Sequence, residues 1–149
     1  MKIYVGADHR GYSLKEKIKI WLSEWNQNYE DMGAHELDPH DDYSIYSEKV
    51  GSMVGKEEGA RGILLCGSGV GVDVAANKFD GVRASIGMTP EQVASGRGDD
   101  DMNILVLAAD FTNENQAKQM LKVFLETKFE ANARHKRRLA DIKKIEANN

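Results

Sequence analysis

The chain has 149 residues, with 20 Lys and Arg against 24 Asp and Glu and a formal charge of −4. That is the length of one ordinary domain, and the mild acidity argues against bulk electrostatic binding to nucleic acid. With 41% hydrophobic and 30% charged residues, one cysteine and no apolar run near the ~18 residues of a membrane span, one cytoplasmic domain over 1–149 is expected, without membrane association or internal disulfide.

Residues 2–7 (KIYVGA) read as a buried strand that starts without a signal-peptide pattern. In 12–25, Leu14, Ile18, Trp21, Leu22 and Trp25 share one helical face. Residues 29–33 (YEDMG) give a short, acidic second strand. The polar loop 34–42 leads to a helix with Tyr46, Val50, Met53 and Val54 on one stripe. Residues 62–66 (GILLC) form a continuous apolar run, as in a central parallel strand. A short helix follows over 70–78, then a strand over 82–88. Another short helix spans 89–97, with Thr89 as cap and Pro90 in its first turn. Residues 103–109 (NILVLAA) are the fifth strand. The helix over 114–127 carries Ala117, Met120, Leu121, Phe124 and Leu125, and the charged tail from Arg134 is helical, with Leu139 and Ile142 as apolar contacts.

Strands and helices that alternate in this way predict an α/β fold, an open doubly wound parallel sheet of about five strands with a C-terminal helix. Ligands of such folds bind outside the carboxyl ends of the strands. Four polar clusters fall there: 7–11 (ADHRG), 66–71 (CGSGVG), 87–90 (GMTP) and 108–113 (AADFTN). Cys66, the only cysteine, sits where a buried strand meets a glycine-rich turn. Gly67, Gly69 and Gly71 let the backbone turn tightly and aim several N–H groups one way, which favours an anion or a developing oxyanion. The start of the next helix adds donors and would activate the thiol. The turn lacks the Lys-Ser/Thr pair of a P-loop and the full dinucleotide fingerprint. Taken alone, Cys66 equally suits a buried structural thiol, and Asp8 and His9 a helix cap beside a surface histidine.

The segments GADHRGY, DYSIYSEKV, GILLCGSGVGVDVAANKFDGVRA and FEANARHKRR run in colinear order over essentially the whole chain. They resemble motifs of the type B ribose-5-phosphate isomerases, a family that includes galactose-6-phosphate isomerase subunits and allose-6-phosphate isomerases. The resemblance implies a Rossmann-like fold, a homodimer (a tetramer is the alternative) with shared sites, and aldose–ketose isomerisation of a sugar phosphate. It implies no metal and no cofactor. By position, Cys66 matches the base that moves a proton between C1 and C2 through an enediolate. Gly67, Ser68, Gly69, Val70 and Gly71 match the loop that stabilises the enediolate oxygen. Asp8 matches a ligand of sugar hydroxyls, His9 a phosphate ligand, and Tyr43 a tyrosine at the site, although Ser44 replaces the proline that usually follows. Arg134 and Arg138 match two phosphate-binding arginines, and their i, i+4 spacing turns both the same way on a helix. Asn103 matches a structural asparagine.

Two positions depart from the pattern. Asp99 stands where the family has a ring-opening histidine that acts across the dimer, and Asp100 stands where it has an asparagine. A carboxylate can accept the anomeric proton, more weakly at neutral pH unless repulsion within Asp99–Asp101 raises its pKa. The bland alternative is a solvated acidic loop. Asp110 stands where ribose 5-phosphate isomerases commonly carry an arginine on phosphate, so it either opposes a phosphate or caps the helix near Asn113. The activity expected first is ribose 5-phosphate isomerisation. The alternatives are a sister isomerase for another pentose or hexose, such as allose 6-phosphate, galactose 6-phosphate or an unphosphorylated sugar, and a non-catalytic sugar-phosphate binding module.

Overall fold

The computed structural model describes residues 1–149. Five strands form one parallel sheet in the order β2-β1-β3-β5-β4. They are β1 (Ile3–Ala7), β2 (Tyr29–Asp31), β3 (Arg61–Cys66), β4 (Ala84–Ile86) and β5 (Ile104–Ala108). The central three are almost wholly buried along their length, as strands covered on both faces must be. Six helices complete the chain: α1 (Tyr12–Glu24), α2 (Tyr43–Lys56), α3 (Val70–Ala76), α4 (Pro90–Asp100), α5 (Glu114–Glu126) and α6 (Ala133–Ala147).

Strand alternation divides the core in two. Ile3, Val5, Ala7, Ile63, Leu65, Leu105 and Leu107 meet Ile18, Trp21, Leu22, Val93, Leu121 and Phe124 of α1, α4 and α5. Tyr4, Leu64, Cys66, Ile104 and Val106 meet Val50, Val54, Val72 and Ala76 of α2 and α3. Full burial of each such aliphatic side chain is worth about 1.5–3 kcal/mol, so the sheet is held from both sides. The chain leaves β1 toward β2 and leaves β3 toward β4 and β5, so the winding direction reverses between β1 and β3. That reversal opens a crevice at their carboxyl ends.

A buried ion cluster fixes the chain beside this crevice. Lys15 is fully buried, with Nζ 2.9 and 2.8 Å from the two Asp31 oxygens, the pairing a buried charge requires. Asp31 also accepts the Gly33 amide at 2.9 Å, and Gly33 and Ala34 bond back to Ala7. The segment after β2 is thereby fastened to the end of β1, and its continuation brings Asp41 to His9.

Several boundaries differ from the sequence expectation. β2 stops at Asp31, and β4 keeps only three residues of the 82–88 stretch. In α2 the buried stripe is Tyr46, Ser47, Val50, Gly51 and Val54, and Met53 is exposed. In α6 the buried residue is His135, whereas Ile142 is exposed and Leu139 half-buried. α4 differs in the other direction: it runs on through Gly98 to Asp100 and ends at Asp101 in the left-handed conformation, φ 48°. Gly98 reads as a stop in sequence. In the fold it is buried, and its carbonyl takes the Glu130 amide at 2.9 Å, so tertiary packing carries the helix onward.

Candidate active site

The register sets Ala7 opposite Leu65 and Cys66 opposite Ala108, which brings the loops after β1, β3 and β5 together. The Asp8 amide continues the ladder onto the Leu65 carbonyl at 3.3 Å. Cys66, the last residue of β3, opens the middle loop as a free thiol, 4% exposed. The amides of Gly67, Ser68 and Gly69, which follow it, donate to no protein acceptor. Gly69 has φ 77°, a left-handed turn that only glycine adopts without strain. Ser68 Oγ accepts the Val70 amide at 3.2 Å, so its own hydrogen stays available to donate. The Tyr43 ring covers Gly71 so closely that a Cβ there would stand 2.7 Å from it. Cys66, Gly67, Ser68, Gly69, Val70, Gly71 and Tyr43 thus share one mouth.

The loop after β1 supplies the charges. Asp8 is 5% exposed, and its Oδ1 accepts the amides of Arg10 and Gly11 at 3.0 and 3.1 Å. Oδ2 has no protein donor. Asp8 therefore shapes the turn into α1 with one oxygen and keeps the other open to the crevice. Asp41 Oδ1 receives the His9 amide at 2.9 Å and lies 2.8 Å from His9 Nδ1, and its Oδ2 accepts the Tyr46 hydroxyl at 2.9 Å. The hydrogen bond to Asp41 raises the His9 pKa above 6.5, so the ring stays cationic to higher pH, with Nε2 directed elsewhere. Burial pushes the Asp41 carboxyl up, but the bonds from His9 and Tyr46 outweigh it and lower its pKa. Burial, followed by the bond to Asp41, pushes Tyr46 up to about 12.

Asp110 does not cap a helix, and it does not stand alone. It forms an ion pair with Arg10 across the end of β3, which offsets part of its charge. The helix near Asn113 is capped by Asn113 itself, in a reciprocal capping box with Gln116.

The remaining expected residues lie at the opposite edge of the sheet. α4 leaves the carboxyl end of β4 and delivers Asp99 and Asp100 to the amino end of β5. These residues form the last turn of a helix, not a loop. Carboxylates there oppose the helix dipole, and basic side chains gather around them. Asp99 Oδ1 is 3.6 Å from His135 Nε2, and Asp101 pairs with Arg83 and Arg97 at 3.0 and 2.8 Å. Asp99 and Asp101 thus face different partners. Arg134 and Arg138, on the first turns of α6 beside His135, are exposed and make no ion pair. Asn103 ties the starts of β4 and β5 together through Arg83 N and Gly81 O, each at 2.7 Å. Within one chain, Asp99, Asp100, Arg134 and Arg138 are therefore not brought to Cys66. A cleft of about 600 Å³ lies beneath α6, between Gly55, Arg83 and Glu146, and does not include Cys66.

Arg10, Asp41 and Tyr46 are the site residues that the sequence did not disclose. Asp41 sits in an acidic loop and Tyr46 on an apolar stripe, and neither pattern carries a signal of a histidine more than thirty residues away. Two groups, Asp8–His9–Asp41 and Asp99–Glu130–His135, hold potential metal-ligand atoms within 4.8 Å of one another. Asp41 Oδ1 is already taken by His9, and His135 Nδ1 lies 2.8 Å from the Glu130 carbonyl.

Known proteins share this arrangement. The Ribose/Galactose Isomerase family matches residues 3–142. The chain is 35% identical over 140 residues to a probable ribose-5-phosphate isomerase B of Mycoplasma pneumoniae, covering 94% of this chain and 91% of the relative. It is 34% identical to ribose-5-phosphate isomerase B of Escherichia coli, over 97% and 96% of the two chains. The crystal structure of the Mycoplasma genitalium enzyme with bound ribulose-5-phosphate superimposes with a TM-score of 0.95 at 34% identity, over 99% and 97% of the two chains. With the family matched over nearly the whole chain and the fold shared with these relatives, the chain belongs to the ribose/galactose isomerase family.

Proposed function

We propose that this chain interconverts ribose 5-phosphate and ribulose 5-phosphate, with Cys66 as the base. The observation that carries the reading is a thiol followed directly by three backbone amides without protein acceptors. Cys66, as thiolate, removes the C2 proton of the open-chain aldose, and the electron pair moves into a C1–C2 double bond as the carbonyl oxygen becomes an oxyanion. The amides of Gly67, Ser68 and Gly69 donate to that oxygen. Loss of one such donor costs roughly 3–4 kcal/mol in comparable sites. The thiol then returns its proton to C1, and the Ser68 hydroxyl relays the proton between O2 and O1. No electron leaves the sugar, so no redox partner is required.

Asp8 Oδ2 and Tyr43 hold sugar hydroxyls, and His9 holds the phosphate. The second half of the site comes from another copy of the chain. The amino edge of one protomer docks on the carboxyl edge of its partner, bringing Asp99 as ring-opening base, Asp100 to the sugar, and Arg134 and Arg138 to the phosphate. The active form is a homodimer. No helix is long and apolar enough to cross a membrane. A base that works as a free thiol suits a reducing compartment, so the proposed location is the cytoplasm.

Asp99 in place of the family's histidine favours a second reading, a sister isomerase for another aldose. A panel of pentoses and hexoses, each with and without phosphate, tests both. Highest kcat/KM for ribose 5-phosphate supports the proposal, and a clear preference for another sugar replaces it. Binding without turnover of any member leaves only a binding module.

A further inference from the structure

The Arg10–Asp110 pair is not used by the chemistry above. It joins the loop after β1 to the loop after β5 and passes over the first glycine of the turn. A Cβ built on Gly67 would stand 2.5 Å from Arg10 Nε, 2.7 Å from its Cζ and 2.8 Å from Asp110 Oδ2. The guanidinium is therefore in contact with the residue after Cys66. It is also half-open to solvent, at 58% side-chain exposure against 33% for Asp110. Only Nη2 is engaged, by Asp110, so Nε and Nη1 donate to no protein acceptor.

Of the other rim carboxylates, only Asp8 Oδ2 is left without a protein donor. Asp8 Oδ1 holds the Arg10 and Gly11 amides, and Asp41 holds His9 and Tyr46. What the rim offers a ligand is thus mainly donors: the Arg10 guanidinium, the His9 ring and the amides of 67–69. We propose that Arg10 is a substrate-contacting, specificity-determining residue of this chain: its guanidinium binds the phosphate group of the sugar from the Cys66 side, held in place between turnovers by Asp110. The inference rests on the ribose 5-phosphate reading and adds to it a cation supplied by the same chain as the thiol. Arginine suits the task because its planar fork can meet two phosphate oxygens while a third donor stays on Asp110. An ion pair this exposed does little for stability, so a purely structural strap is the weaker account of it.

Two variants separate the accounts, because both break the pair and only one removes the cation. Ribose 5-phosphate and inorganic phosphate are titrated calorimetrically into wild type, Arg10→Met and Asp110→Asn, and KM is measured for each. Arg10→Met is expected to weaken ribose 5-phosphate and inorganic phosphate at least tenfold and to leave D-ribose unaffected. Asp110→Asn removes a carboxylate next to the bound phosphate and is expected to tighten both phosphates severalfold, less so at high salt. Arg10→Lys keeps the charge without the fork and falls between wild type and Arg10→Met. An Arg10→Met dissociation constant within twofold of wild type, or weakening of phosphate to the same extent by both pair-breaking variants, overturns the proposal. If wild type binds ribose 5-phosphate without turning it over while Arg10→Met does not bind it, the activity assignment fails and the Arg10 contact stands.

Discussion

Replacing Gly69 with alanine tests whether the turn after Cys66 is a catalytic device or only a connection. Gly69 has φ 77°, and an added Cβ would stand 3.3 Å from Ala108 Cβ and Val106 Cγ1 on β5. The left-handed backbone costs an alanine about 1–2 kcal/mol. The tight contacts add to this, and the stiffer unfolded chain returns about 0.4–1 kcal/mol. The net loss is about 1–2 kcal/mol. In a chain of 149 residues that lowers Tm by roughly 2–8 °C. Relaxing φ at this position re-aims the amides of 67–69, so kcat should fall about a hundred- to a thousandfold, as when an oxyanion donor is lost. Gly59→Ala is the control. It has φ 78°, nothing within 4 Å of its Cβ, and lies between α2 and β3 at the other edge of the sheet. It should lose a comparable few degrees of Tm and keep its kcat. Calorimetric melting and steady-state turnover of both proteins decide the matter. Equal kcat in the two variants, with similar melting losses, refutes the oxyanion role of the turn.

Asp41→Asn should lower the His9 pKa, read by NMR titration of the ring. The raised pKa stabilises the fold fully below the ordinary histidine value of 6.5, and that contribution fades as pH rises through the folded value. The variant should therefore lose stability on the acid side of neutrality, and its affinity for phosphate monoesters should decline at lower pH than in wild type. An unchanged His9 titration contradicts the pairing. Mixing Cys66→Ala chains with Asp99→Ala chains should restore activity toward one quarter or more of wild type, since a mixed dimer holds one site with both groups intact. Heterodimers shown by mass spectrometry to form without regaining turnover count against the shared site.

The central part of this protein is written plainly in its sequence. Runs such as ILLC and ILVL can only be covered strands, and the capped amphipathic helices between them force a parallel sheet with polar residues at its carboxyl edge. The Cys66 turn was legible because the only thiol stands at a strand end and is followed by three alternating glycines. Relations between distant segments were not legible. Asp110 reads as an isolated carboxylate until Arg10, one hundred residues earlier, is found on it. Asp99 to Asp101 read as a repelling acidic loop, yet they are a helix end, met by Arg83 and His135 from two other segments and by Arg97 of the same helix. The separation of Cys66 from Asp99, Arg134 and Arg138 is likewise a consequence of strand order. No local pattern encodes it, and it is the reason that a second chain enters the account.

The most direct test is proton exchange in D2O, with ribose 5-phosphate followed by NMR in the presence of wild type and Cys66→Ala, alongside calorimetric binding to both. An isomerase that works through an enediolate must convert the sugar to ribulose 5-phosphate and place solvent deuterium at C1 of the product and, on return, at C2 of ribose 5-phosphate. Cys66→Ala should bind the sugar with little change, melt within a few degrees of wild type, and exchange at least a thousandfold more slowly. Exchange by Cys66→Ala at a near-normal rate would remove the thiol as base, and wild type that binds ribose 5-phosphate without exchanging its C2 proton would contradict the isomerase itself.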